Sequence, residues 1–376
     1  MTEKRPLCSY AGTTKELVLT DNLPGVKLYH GVQAIGAVTF DDSTHVLSIA
    51  SITYWILGIK YVTASPVTGD IDVLSTLVTN KTYYFYFDDA TGALKCSQSS
   101  WTISGHVPIA TVFWNGSAGA IAKEWHNHTR DLNWHQWAHE TIGMRYESGL
   151  GLTYPTVAVD NQLQIETGNL HDEDLDTTTG QCTTCRILYK ASVSVWTWVN
   201  SSLPYAGSGV QPQYLDTDTY AFTNVGASDF ACMWVYGTPD IARPIYIVPT
   251  HAAAVYNIIS LARAETPPTL TGLNLGPEFK LLYRFIYKGN GDFQESSDYR
   301  SSSPVPGGGL AQVNAASVSF SPFSTVTATN VQAAIEQVFD GSGLFEIDGN
   351  GDLTPASTIR PDPYWTTDGN GDLVSL

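Results

Sequence analysis

The sequence predicts a mostly β chain of several sandwich- or barrel-like domains with a few short helices. Strand signals dominate it: KTYYFYFDD (81–89), VPIATVFWN (107–115), CRILYKASVSVWTWV (185–199), ARPIYIVPT (242–250) and FKLLYRFIYKG (279–289) are short, rich in aromatic and β-branched residues, and bounded by Gly, Asn, Asp or Pro. Helical periodicity is clear only at about 252–264 and 330–339. The length of 376 residues exceeds the roughly 250–300 at which a single core stops growing, so more than one domain is expected.

In chain order, the N-terminal MTEKRPLCSYAGTTKEL lacks the apolar segment of a secretory signal, and synthesis and folding in a cytoplasm are expected. The run VLSIASITYWILGIKYV (46–62) contains serines, a threonine and Lys60 and is too short to span a bilayer; it reads as two strands, with no membrane insertion. In YYFYFDDATGALKCS the DDATG segment reads as a hairpin turn with Gly92 at positive φ. Small residues and a proline at 148–155 (SGLGLTYP) separate an N-terminal β domain, 1–150, from a central one, 151–303. SSSPVPGGGLAQ (301–312) marks the main boundary, leaving 304–376 as a third region.

That third region holds the second helical pattern. Thr329 and Gln332 have capping-box spacing, and Val331, Ile335, Val338 and Phe339 form one apolar stripe. A helix of about ten residues is not stable alone in water, so the stripe is expected to pack on another surface. FEIDGNGDLTP (345–355) and YWTTDGNGDLVSL (364–376) then repeat, with a looser echo in YKGNGDF (287–293); each reads as a hairpin, with Asp348, Asn350, Asp352 and Asp368, Asn370, Asp372 in the turns. The D-x-N-x-D spacing imitates a calcium loop, but Leu353 and Ile359 replace its glycine and glutamate.

Composition limits function. A formal net charge of −17, with no basic cluster beyond Lys4-Arg5, disfavours nucleic acid as a partner. Five scattered cysteines do not make a disulfide scaffold; Cys182 and Cys185 form a lone CxxC, expected to be a strand-opening turn with free thiols. No nucleophile elbow, P-loop or dinucleotide fingerprint occurs, and no cofactor is expected. The acidic run HDEDLD (171–176), with Asp172, Glu173, Asp174 and Asp176, is expected to be a solvated loop; a hard-cation site or a carboxylate pair is the alternative.

WHNHTRDLNWHQWAH (125–139) is the one concentrated candidate site, with His126, His128, His135 and His139 as possible metal ligands. His135 and His139 have the i, i+4 spacing of the HExxH zinc motif, but Gln136 stands where that motif carries its glutamate, so no catalytic residue is assigned. A short helix from about Leu132 to Ile142 is expected, capped by Asp131 and stopped by Gly143. The leading expectation is an imidazole and aromatic seam at a domain or subunit contact, with no metal; a structural metal on these histidines is the alternative.

Several stretches together, VPIATVFWN with the histidine-rich segment, HETIGMRYESGL, HDEDL, CRILY with its tryptophan strand, GPEFKLLYRFIY and SDYRSSS, resemble a family of tailed-bacteriophage virion structural proteins, tail-fibre-like in kind, over most of the chain. VSFSPFSTVTATNVQAAIEQVFD resembles a segment that in phage fibre and tail proteins introduces a short helix near a trimer axis. The resemblance implies a non-enzymatic virion component: a homotrimer, with Val331, Ile335 and Val338 in the trimer-forming role, contacting other virion proteins and host-surface glycans. It leaves open a short fibre, tail tip, adaptor, or capsid or collar decoration. A receptor-binding protein that binds or degrades host polysaccharide is the competing expectation.

Overall fold

The computed structural model describes residues 7–10, 13–16, 29–88, 92–103, 105–129, 135, 137–138, 142–157, 161–270, 273, 278–301, 345–347, 353–355, 365–367 and 373–375. The chain divides into two compact units, Met1–Leu310 and Ala311–Leu376. It is mostly β, as the strand-rich runs predict.

The largest sheet of the first unit has six strands in the order Val195–Ser201, Cys185–Ser192, Ile245–Pro249, Phe230–Gly237, Lys280–Lys288, Phe293–Asp298. All neighbours are antiparallel except the Cys185–Ser192 and Ile245–Pro249 pair. Side chains alternate faces along a strand, and FACMWVYG shows both faces in use. Ala231, Met233 and Val235 enter one core with Met144, Leu150, Ile165 and Leu170; Cys232, Trp234 and Tyr236 enter another with Phe113 and Ala120. A strand covered on both sides reads as a continuous apolar run. The tryptophans on the second face find acceptors, Trp198 Nε1 donating to the Phe113 carbonyl at 3.3 Å and Trp234 Nε1 to Glu265 Oε1 at 2.9 Å.

Phe113 and Ala120 belong to a four-stranded antiparallel sheet, in the order Leu94–Ser97, Lys81–Asp88, His106–Trp114, Gly119–Lys123. Its other face, with Tyr83, Phe85, Val107, Ile109 and Val112, closes over two small three-stranded sheets from residues 31–70 in a core of its own. Ile241 N donating to the Ile121 carbonyl at 2.9 Å ties the two large sheets together at the main chain.

Individual expectations fare differently. Gly92 takes φ +61 between the Lys81–Asp88 and Leu94–Ser97 strands, as the turn requires. YKGNGDF is a hairpin turn, with Gly291 at φ +92 and Gly289 so close to the Gly226 carbonyl oxygen that a Cβ would lie 2.0 Å from it. The run 46–62 forms three strands instead of two, Val46–Ile49, Ile52–Ile56 and Ile59–Thr63. The extra turn is Leu57-Gly58, both at positive φ, a hairpin geometry that Gly58 supports and Leu57 conceals from a reading by residue type. Only Ile259–Ala264 of the expected 252–264 helix is helical. Upstream, His251–Ala252 pairs in a sheet and Tyr256 exchanges two main-chain hydrogen bonds with Phe230, so those amides are committed elsewhere.

In the second unit Phe345–Ile347 pairs antiparallel with Leu353–Pro355, and Trp365–Thr367 with Leu373–Ser375, each pair in the same register. Turn residues Asp348, Asn350, Asp352, Asp368, Asn370 and Asp372, and the stripe Val331, Ile335, Val338, Phe339, lie outside the described residues.

Candidate functional site

Three segments of the first unit converge on a buried cluster of imidazoles and carboxylates. The first leaves the Gly119–Lys123 strand and runs along Gly31–Ile35: Val32 N donates to the His126 carbonyl at 2.8 Å and His128 N to the Val32 carbonyl at 3.1 Å. In this extended stretch alternate residues share a face, so Glu124 and His126 point inward, 1% and 3% exposed, while Asn127 is exposed. Gly31, at φ +122, permits the approach, since a Cβ there would lie 2.8 Å from the His126 carbonyl oxygen.

A short helical turn supplies the second segment. His135 and Ala138 are buried while Trp137 is 54% exposed. Ile142 N closes the turn on the Ala138 carbonyl at 2.7 Å, and Gly143 at φ +57 ends it, in the stop position the sequence suggests. Asp131, the expected cap, lies outside the described residues.

The third segment is the hairpin of Gly168–Asp172 and Leu175–Thr179. Asp172 pairs with Leu175, which makes Glu173-Asp174 its two-residue turn. Glu173 takes φ +52, a left-handed conformation that costs a residue with a Cβ roughly 1–2 kcal/mol. The expectation of a solvated acidic loop fails here: Asp172 and Glu173 are 0% and 2% exposed, because the strands on either side carry the turn inward onto the histidines.

At the centre, His126 Nδ1 lies 2.8 Å from Asp174 Oδ1 and 3.7 Å from Glu173 Oε2, and His135 Nε2 lies 3.0 Å from the same Glu173 oxygen. The two rings are 4.2 Å apart, and one ligating atom from each of His126, His135 and Glu173 lies within 4.8 Å of the others. His126 Nε2 has no hydrogen-bond partner; it faces Glu124 Oε2 at 4.0 Å. Burial, then the neighbouring Glu278, then Asp172 and Glu173, push the Glu124 carboxyl well above the usual carboxylate range. Burial opposes the charged form of His126, but the hydrogen bond to Asp174 and the charges of Glu173, Asp172 and Asp174 outweigh it and hold its pKa above the ordinary histidine value.

Of the histidines singled out in the sequence, the structure therefore brings together His126 and His135. His128 faces elsewhere, stacked at 10° to Trp55, and His139 lies outside the described residues. Of the cluster's carboxylates, Asp172, Glu173 and Asp174 stand in HDEDLD, where the sequence offers a cation site or a carboxylate pair but favours a solvated loop; Glu124 and Glu278 carry no sequence signal. Chemically the set offers imidazole nitrogens and carboxylate oxygens at the spacing of a divalent-cation site.

The cysteine pair is different. Cys182 and Cys185 are buried free thiols that donate to the carbonyls of Gly180 and Leu203, and burial pushes the Cys182 thiol up to about 11. Neutral thiols are poor ligands and poor nucleophiles.

Elsewhere on the first unit is an open cleft of about 560 Å³, lined by Lys190, Tyr220, His251, Tyr256 and Glu265 among others. His251 makes no hydrogen bond through either ring nitrogen, and burial with the charge of Lys190 lowers its pKa to about 4. Glu265 is held at the cleft wall by Trp234 Nε1 and by Thr250 Oγ1, the latter donating at 2.7 Å.

Comparison with known proteins finds no matching family model, no matching curated protein and no matching solved structure.

Proposed function

We propose that this chain is a non-enzymatic structural component of a phage virion, of the tail-fibre, tail-tip or adaptor kind, that assembles as a homotrimer and attaches to other virion proteins. The observation that carries the reading is the pair of tandem hairpins in the second unit, whose strands are three residues long. A lone two-stranded hairpin is at best marginal in water. Repeated hairpins of this size gain a core by packing on copies of themselves, and the apolar spacing of Val331, Ile335 and Val338 in the sequence favours the same assembly. Light scattering on the full chain at micromolar concentration is expected to give the mass of three chains. A stable monomer would overturn the trimer.

The open cleft favours one addition, recognition of a host-surface glycan. Tyr220 and Tyr256 offer aromatic surface for sugar rings, and Lys190 and Glu265 offer a hydrogen-bond donor and an acceptor for hydroxyls. Pull-down of host cell-wall fractions by the chain, lost on Tyr256→Ala, is the expected outcome. Incubation with host polysaccharide is expected to release no new reducing ends.

A further inference from the structure

The histidine–carboxylate cluster does more than seam two sheets. We infer that His126, His135 and Glu173, with Asp174 beside them, form a structural site for one divalent first-row transition ion of the zinc class. The site fastens the 124–128 segment, the helical turn at 135–138 and the 173–174 hairpin turn to one another. This inference goes beyond the virion reading and stands or falls apart from it.

Geometry comes first. Ligand atoms about 2.0–2.2 Å from a zinc-class ion lie roughly 2.8–3.6 Å from one another. Two separations here, 2.8 Å from His126 to Asp174 and 3.0 Å from His135 to Glu173, fall in that range, and the third, 3.7 Å from His126 to Glu173, lies just beyond it. The donors come from three segments far apart in the chain, so local chain stiffness does not produce the match.

A second observation points to a ligand. His126 is 3% exposed, and its Nε2 is a buried ring nitrogen without a hydrogen-bond partner, aimed at the equally buried Glu124. A metal-bound imidazole ordinarily coordinates through one nitrogen and holds a carboxylate with the other. His126 is placed for that division: Nδ1 faces Glu173 and Asp174, and Nε2 faces the Glu124 carboxyl at 4.0 Å. Among the described residues, the charges acting most strongly on Glu124 and on His126 are carboxylates. Arg145 reaches the turn from outside, donating to the main-chain carbonyl of Glu173 at 3.4 Å.

The donor set selects the metal class. Two imidazoles with carboxylates suit zinc and its first-row neighbours, whereas calcium and magnesium prefer all-oxygen shells. The burial of His126, His135 and Glu173 is that of a closed structural centre.

The test uses the full, untagged chain, stripped with a chelator and then titrated with Zn²⁺. One equivalent is expected to bind, and X-ray absorption of the loaded wild-type chain is expected to show a nitrogen and oxygen shell with imidazole scattering. Glu173→Gln and His135→Gln are expected to weaken binding by more than the roughly 10- to 100-fold that an outer-shell change costs. His171→Ala, in the exposed trio Glu147, His171 and Asp176, is expected to leave affinity unchanged. Failure of the wild-type chain to bind Zn²⁺ overturns the site, as does a sulfur shell, which would place the ion on the cysteines. Loss of binding in His171→Ala, or binding of Ca²⁺ and Mg²⁺ but not Zn²⁺, also overturns it. If the glutamine variants do not fold, the absorption spectrum of the wild-type chain and the His171→Ala control decide.

Discussion

Arg186 and Asp240 are buried as deeply as His126 and Glu173, yet the two clusters handle their charge by different means. In the first, Arg186 Nε meets Asp240 Oδ2 at 2.7 Å, the Tyr246 hydroxyl donates to the same oxygen at 2.8 Å, and the guanidinium lies 4.0 Å over the Trp198 ring. One cation answers one anion. In the second, two imidazoles meet several carboxylates, and His126 Nε2 is left without a partner. The difference separates two roles that look alike in composition. A buried pair whose charges balance accounts for itself, whereas a cluster of imidazoles and carboxylates also offers ligand atoms to an added cation.

The sharpest way to break the comparison is to unbalance the first cluster. Asp240→Ala leaves Arg186 buried and unpaired, and is expected to cost about 3–5 kcal/mol in denaturant unfolding, with added Zn²⁺ giving no rescue. A cost below about 1 kcal/mol would show that Arg186 escapes to water. For the second cluster the counterpart is the metal itself. Zn²⁺ at 100 to 1,000 times its dissociation constant should raise wild-type stability by about 2.7–4.1 kcal/mol over the chelated chain, and a melting temperature indifferent to Zn²⁺ would count against the site.

His251 sharpens the contrast from a third direction, as an imidazole with buried ring nitrogens on which the charge of Lys190 acts. Its folded pKa of about 4 lies below the unfolded value of about 6.5, so the unfolded chain binds the extra proton between them. The stability this contributes is fully present above pH 6.5 and is lost as pH falls towards 4, by roughly 2–3 kcal/mol. His251→Phe is expected to flatten that part of the stability profile; an unchanged profile would mean that His251 is not buried neutral.

The smallest expected effect changes sign. Glu173→Gly relieves the left-handed turn and removes one carboxylate, and so should stabilise the chelated chain by about 1 kcal/mol while abolishing the gain from Zn²⁺. Destabilisation in both states would show that Glu173 serves packing alone.

Much of the sheet structure was legible in the sequence because its signals are local. VPIATVFWN and FKLLYRFIYKG announce strands, Gly92 and the GNGD of 289–292 announce turns, and Gly143 announces a helix end. The misreadings are also local in origin. Leu57-Gly58 hides a hairpin turn behind an apolar residue, and the alanines before Ile259 look helical although sheet pairing takes their neighbours' amides. The candidate site was half legible. Its histidines stand out in WHNHTRDLNWHQWAH, but the HExxH comparison seeks a carboxylate along the same helix, whereas Glu173 and Asp174 arrive from a hairpin turn. Strand register decides that meeting, and no periodicity in HDEDLD reveals that its turn folds inward.

The central claim is tested most directly by diffraction at the zinc absorption edge from crystals of the full chain soaked in Zn²⁺. An anomalous peak within bonding distance of His126, His135 and Glu173 is the expected result. No peak there, with the ion instead at the exposed Glu147, His171 and Asp176 or at the cysteines, would contradict the account.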